Sequence, residues 1–250
     1  MKGIVLCSGG LDSTLALIKL LEQGHEVVPM FVDYNQWSLK GEKQAISDVG
    51  FWLAQEPMNI DVSDTIPVII ETRWDVWFDR QPRVEGSGTE VTKVYETEVG
   101  SAWGRGIALV GLAAMWAYTH GDDYDFIALG SLKGDAGPDC KPGLFDKGMD
   151  TVLRVATRGK MELLLPIGEL TIEDIGRELA KSGIPWNLMY SCYWEPPCGY
   201  RSSNDSYRCP GCRRKVLAMR AGGVTDEKLL ELPNASGRSY QSRLAEEAGY

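Results

Sequence analysis

Lys2-Gly3-Ile4-Val5-Leu6-Cys7-Ser8-Gly9-Gly10-Leu11-Asp12-Ser13-Thr14-Leu15-Ala16-Leu17-Ile18-Lys19-Leu20-Leu21 is the stretch that decides the fold. Residues 2–7 form a short apolar run, residues 8–10 a glycine turn, and residues 11–21 place leucines and isoleucine at helical spacing. The order is therefore strand, tight turn, helix. Two adjacent glycines permit positive φ and a close approach of backbone to a ligand. The first N–H groups of the following helix lack intrahelical partners and carry the positive end of its dipole, so an anion is stabilised there. Ser8, Ser13 and Thr14 add hydroxyl donors. Asp12 beside a phosphate fits a carboxylate that holds magnesium or fixes the loop.

The same alternation extends outward. Residues 26–33 read as a second strand, with Pro29 pointing to an edge or a bulge. A helix is predicted over 38–54 and a third strand over 58–62. Strands alternating with helices predict an α/β fold, a parallel sheet with helices on both faces. Residues 66–100 carry Trp74, Trp77 and Phe78 but no sustained period, and read as an irregular insertion, a lid or partner surface, with its aromatics packed beneath it. Regularity resumes with a helix over 105–119 and a strand over 125–130. After a Gly/Asp/Pro-rich loop through 143, a strand follows over 161–165, then a helix begun by Thr171 with Asp174 at its third position. The organisation is a nucleotide-binding domain over 1–185, a four-cysteine segment over 186–221 and a helical, polar tail over 222–250.

The chain has 250 residues, 44% of them hydrophobic, and a formal net charge of −9. An acidic body argues against a nucleic-acid groove, which needs a basic face. No apolar run approaches the roughly 20 residues that span a bilayer. The first residues enter a strand directly rather than an export signal, so a cytoplasmic location is expected. Of six cysteines, Cys192-x5-Cys198-x10-Cys209-x2-Cys212 cluster near the C-terminus. Four thiolates suit a closed tetrahedral zinc site of structural type, for which the Cys-Pro-Gly-Cys knuckle also speaks; an iron–sulfur cluster is the rival occupant. Cys7 reads as core, and Cys140 as a buried thiol with a nucleophile as the alternative. His25 and His120 read as structural. Arg105, at a helix start, has the fork geometry to clamp a phosphate or carboxylate.

The hexapeptide Ser8-Gly9-Gly10-Leu11-Asp12-Ser13 resembles the pyrophosphate-binding loop of the adenine-nucleotide α-hydrolase superfamily, and has neither the lysine of a Walker loop nor the spacing of a Rossmann fingerprint. Other motifs narrow the resemblance: Asp33-Tyr34-Asn35-Gln36, Gly104-Arg105, Gly137-Pro138-Asp139-Cys140 and Ser191-Cys192-Tyr193. Together, over residues 1–221, they are similar to the 7-cyano-7-deazaguanine synthase family of queuosine biosynthesis.

That resemblance implies an ATP-dependent ligase that turns 7-carboxy-7-deazaguanine and ammonia into the nitrile through an acyl adenylate and an amide. It implies nucleotide contacts from Ser8, Gly9, Gly10, Leu11, Asp12, Ser13 and Thr14, and substrate contacts from Tyr34, Gln36, Arg105 and Asp139. Asp12, Arg105 and Asp139 are the catalytic candidates. Cys192, Cys198, Cys209 and Cys212 would hold Zn2+, Mg2+ would accompany ATP, and the protein would be a homodimer. Gly106 stands where the family has asparagine, a departure that bears on which nucleophile takes the acyl group. Beside this reading stand a relative that passes the adenylated carboxylate to a protein amine, a tRNA-thiolating relative, and a non-enzymatic zinc-knot binding module.

Overall fold

In the computed structural model, residues 1–34, 36, 38–55, 68–71, 84–85, 93–94, 105–121, 123–132, 145–193, 209–225 and 229 are described. Strand β1 (Lys2–Leu6) leads through the glycine turn into α1 (Leu11–Glu22), followed by β2 (Glu26–Asp33) and α2 (Leu39–Gln55). Strand β3 (Val68–Glu71) and a small antiparallel pair, β4 (Val84–Glu85) and β5 (Lys93–Val94), come next. Then come α3 (Arg105–Thr119), β6 (Phe126–Ala128), α4 (Phe145–Ala156), β7 (Glu162–Leu164), α5 (Ile172–Ser182) and α6 (Pro210–Ala221).

The main sheet has five strands in the order β3-β2-β1-β6-β7, each neighbouring pair parallel. Strand β1 is central. The chain leaves it toward β2 on one side and returns to β6 on the other, so the glycine turn lies at the point where the strand order reverses. In open α/β sheets ligands bind in the crevice at that point.

Alternation along the strands divides the core. Val5, Cys7, Phe31 and Phe126 pack with α1, α2 and α5 on one face. Ile4, Leu6, Met30, Val32 and Ile127 pack with α3 and α4 on the other. The sheet is thus buried on both sides, as its nearly continuous apolar strands require. Among the described residues no helix is long and apolar enough to cross a membrane.

Several expectations need correction. Pro29 is neither at an edge nor at a bulge: β2 lies between β1 and β3. Among the described residues its register with β3 starts at Met30↔Val68, one residue beyond the proline. The segment over 66–100 is not irregular throughout, because Val68–Glu71 supplies the edge strand of the main sheet. The strand predicted over 58–62 falls outside the described residues, as do Trp74, Trp77, Phe78 and the polar tail at 236–250. Helix α4 was not anticipated; Gly148 interrupts its first turns, yet Met149 and Leu153 still meet the core. By contrast, α3 has the predicted bounds, and Thr171 caps α5 in a reciprocal capping box with Asp174.

Candidate active site and metal centre

The glycine turn is shaped by close backbone contacts. Gly9 has φ +70, and a Cβ there would lie 2.6 Å from both Ala45 Cβ and Ile46 N of α2. Gly10 caps α1 with no side-chain hydrogen bond, so no side chain of its own competes with an anion at the first-turn N–H groups. The Ser8 N–H donates to Ser13 Oγ at 3.2 Å, and Ser13 Oγ donates to the Gly10 carbonyl at 3.3 Å. The loop thus holds its own curvature. Leu11 points into the core and offers the site only its backbone. Thr14 is fully buried, and its Oγ1 has no hydrogen-bond partner among the described residues. From the neighbouring strand, Gly130 follows β6 so closely that a Cβ there would stand 2.6 Å from the Asp12 carbonyl carbon.

A second group of side chains gathers beyond β2. Tyr34 is half-buried; burial pushes its phenol up, while the charge of Arg105 and a hydrogen bond to it act in the opposite direction. Gln36 is buried. Its Oε1 accepts the Tyr34 N–H at 3.1 Å, and its Nε2 donates to Glu42 Oε2 at 2.8 Å and Val32 O at 3.5 Å. Ser38 Oγ donates to Glu42 Oε1 at 2.7 Å. Burial raises the Glu42 carboxyl above its ordinary value, opposed by the Gln36 and Ser38 hydrogen bonds and by the Arg105 charge. Arg105, the first residue of α3, thus reaches the Tyr34–Glu42 cluster. Glu42 itself was missed by sequence reasoning. The available signal was a glutamate in the first turn of α2, within reach of the Gln36 and Ser38 side chains.

The third component arrives from the far end of the chain. The Sγ atoms of Cys192, Cys209 and Cys212 all lie within 4.8 Å of one another, with Cys192 and Cys209 3.8 Å apart. Zn–S bonds of about 2.3 Å in a tetrahedron place sulfurs roughly 3.8 Å apart, so the set fits one tetrahedral ion. A multi-iron cluster, whose thiolates sit on different irons, would spread them farther. The N–H groups of Tyr193 and Cys212 point at Cys209 Sγ from 3.5 and 3.4 Å, the outer-shell donors that steady a thiolate. The knuckle is the first turn of α6: Cys209 is its N-cap, with proline at the first turn. Cys198 lies outside the described residues, as do Asp139 and Cys140.

Sequence reasoning also missed Lys215. It is fully buried, and its Nζ donates to the Met189 carbonyl. Burial lowers its pKa to about 8, while the Cys212 and Cys192 sulfurs act in the opposite direction. The signal was positional, since Cys212, Lys215 and Met219 share the buried side of α6.

The three components meet. The Tyr190 N–H donates to the Gly9 carbonyl at 2.9 Å, tying the chain just before Cys192 to the glycine turn. Arg214 Nη2 sits 3.1 Å from Asp12 Oδ2. Between them Tyr193 senses burial first, then the opposed charges of Arg214 and Arg105 on one side and Cys209 and Asp12 on the other.

Fold and site together define a parallel α/β protein with a cysteine centre packed against the glycine turn that follows its central strand. The chain belongs to the family described as Queuosine biosynthesis protein QueC, which matches residues 2–222. A 7-cyano-7-deazaguanine synthase of Campylobacter curvus is 27% identical over 233 residues, covering 90% of this chain and 96% of its own. One from Thermoplasma volcanium is 26% identical, covering 90% and 89%. Among solved structures, a predicted subunit of tRNA methyltransferase from Methanocaldococcus jannaschii overlaps 70% of this chain and 73% of its own. Its TM-score of 0.37 and 12% identity are too low to bear on activity.

Proposed function

We propose that this protein converts 7-carboxy-7-deazaguanine, ammonia and ATP to 7-cyano-7-deazaguanine. The observation that carries the reading is the convergence of the Ser8–Ser13 loop, at the reversal point of the sheet, with Arg105 and its Tyr34–Glu42 cluster. The family match over residues 2–222 supports the same reaction. A carboxylate is a poor electrophile, so its oxygen attacks the α-phosphorus of ATP and pyrophosphate leaves. Ammonia displaces AMP from the acyl adenylate to give the amide. The amide oxygen then attacks the α-phosphorus of a second ATP with pyrophosphate leaving, and loss of AMP and protons from the adenylated amide gives the nitrile.

In this reading the chain contributes positioning and charge, which account for large rate factors without covalent help. The α1 N-terminus, with the hydroxyls of Ser8, Ser13 and Thr14, receives the phosphates. Asp12 and Asp139 are the carboxylates available to a magnesium ion, which would supply charge neutralisation at the departing pyrophosphate. Arg105 and Tyr34, backed by Gln36, hold the substrate. Cys192, Cys198, Cys209 and Cys212 hold zinc, whose role is to fold the segment that closes the site. A reducing cytoplasmic setting keeps those thiols available as ligands. Homodimerisation through the exposed Ile107, Met115 and Tyr118 of α3 completes the reading, with light scattering as its check.

The test is incubation with ATP, magnesium and 7-carboxy-7-deazaguanine, with and without ammonia, followed by mass spectrometry. Nitrile is expected only with ammonia. Asp12→Ala and Ser13→Ala should abolish pyrophosphate release while leaving the fold intact. Persistent adenylate or amide in the presence of ammonia, or acyl mass on a protein amine, would overturn the assignment.

A further inference from the structure

Arg214 has no part in the site inferred from sequence, yet it is the residue through which the cysteine segment reaches the phosphate loop. It lies in the second turn of α6, two residues after Cys212, and 202 positions from Asp12 in sequence. The ion pair it makes, Nη2 to Oδ2 at 3.1 Å, is not sealed off: the two side chains retain 36% and 29% of their exposure. A half-exposed pair of this kind contributes little to stability, at most about 1 kcal/mol. Its position is more telling. Asp12 belongs to the first turn of α1, where an incoming phosphate must lie, and the guanidinium against it faces the same space. Arg105 lies near enough to the same region that both arginines act on the phenol of Tyr193. In a chain of net charge −9, Arg214 is brought to the glycine turn from 202 positions away, a local positive charge beside the first turn of α1.

We propose that Arg214 is a phosphate-contacting residue of the nucleotide site, held by Asp12 when the site is empty and released to the nucleotide when its phosphates enter. The exchange conserves charge. Asp12 gives up the guanidinium as it turns to the cation accompanying ATP, and the guanidinium gains a phosphate oxygen, for which its planar fork suits it better than a lysine. The cysteine centre thereby delivers a binding residue as well as a fold. This inference rests on the nucleotide reading above.

The test uses the full-length, zinc-loaded protein and compares binding of two probes by calorimetry: the magnesium complex of α,β-methylene-ATP, and adenosine. Arg214→Gln should weaken the ATP analogue roughly ten- to hundredfold, the range of a charge-assisted hydrogen bond, and leave adenosine affinity unchanged. Arg214→Lys should recover only part of the loss. Zinc content should match the wild type in both variants. Unchanged analogue affinity in Arg214→Gln overturns the proposal, and so does equal weakening of analogue and adenosine, which would mark a purely structural pair. Should the glutamine variant fail to fold, Arg214→Lys alone decides: full analogue affinity there refutes a fork-specific contact. A wild-type protein that binds neither probe refutes the nucleotide reading itself, which separates that failure from a failure of the arginine assignment.

Discussion

Replacing Gly130 by alanine is a sharp test of how the glycine turn is held. The new Cβ would lie 2.6 Å from the Asp12 carbonyl carbon, 2.7 Å from Ser13 N and 2.8 Å from the Asp12 carbonyl oxygen. Carbon–carbon contact is comfortable at about 3.5 Å, so something must retreat by about 0.9 Å. Strand β6 is paired on both sides, and Leu129 N–H still donates to Leu164 O at 3.1 Å, so the strand end is the stiffer partner. The first turn of α1 must therefore move. Overpacking of this kind costs about 1–3 kcal/mol, which for a chain of this size lowers Tm by roughly 2–12 °C. A displacement near 1 Å in a positioning element costs about a hundredfold in rate. Thermal denaturation and pyrophosphate release, measured side by side, read both effects. Gly148→Ala is the control: a Cβ there meets nothing within 4 Å, so the helical preference for alanine should raise Tm slightly. Wild-type Tm and turnover in Gly130→Ala would refute the steric argument.

Other expectations follow from the same contacts. Cys209→Ser removes a proposed thiolate ligand while a serine can still cap α6, so any loss reports on the metal; elemental analysis should show loss of most of the metal, with a Tm lower by about 10 °C or more. Glu42 provides a pH test. Its carboxyl is raised by burial, so the folded state binds this proton more tightly than the unfolded chain does. Its stabilising contribution is full below the ordinary glutamate pKa and is lost as pH rises from there through the raised value. Glu42→Gln should abolish that part of the decline when Tm is followed from about pH 4 to 8, and parallel curves for the two proteins would contradict the assignment.

Much of this architecture was legible because its signals are local. The β1–turn–α1 unit, the bounds of α3 and the Thr171 cap follow from apolar spacing and capping chemistry within a few residues. Strand β3 was not legible: four residues at a sheet edge carry too short a period to stand out in an irregular stretch. Pro29 was misjudged because register, set by distant partners, decides whether a missing N–H matters. At the site, the glycine loop and the cysteine spacing announced themselves. Glu42, Lys215 and Arg214 did not, because each is an ordinary charged residue on a helix until tertiary packing sets it against a tyrosine loop, a sulfur cluster or a carboxylate.

The central position of β1 also has a consequence for how the chain is made. Its first neighbour, β2, is complete by Asp33, but its second, β6, begins only at Phe126. At about 5–20 residues per second, a ribosome leaves the far edge of β1 without its partner for roughly 5–20 seconds. An unpaired apolar strand edge is a template for association with other chains. The nascent protein is therefore most vulnerable in mid-synthesis, and crowded translation or slow decoding between β2 and β6 should lower soluble yield without altering the finished enzyme.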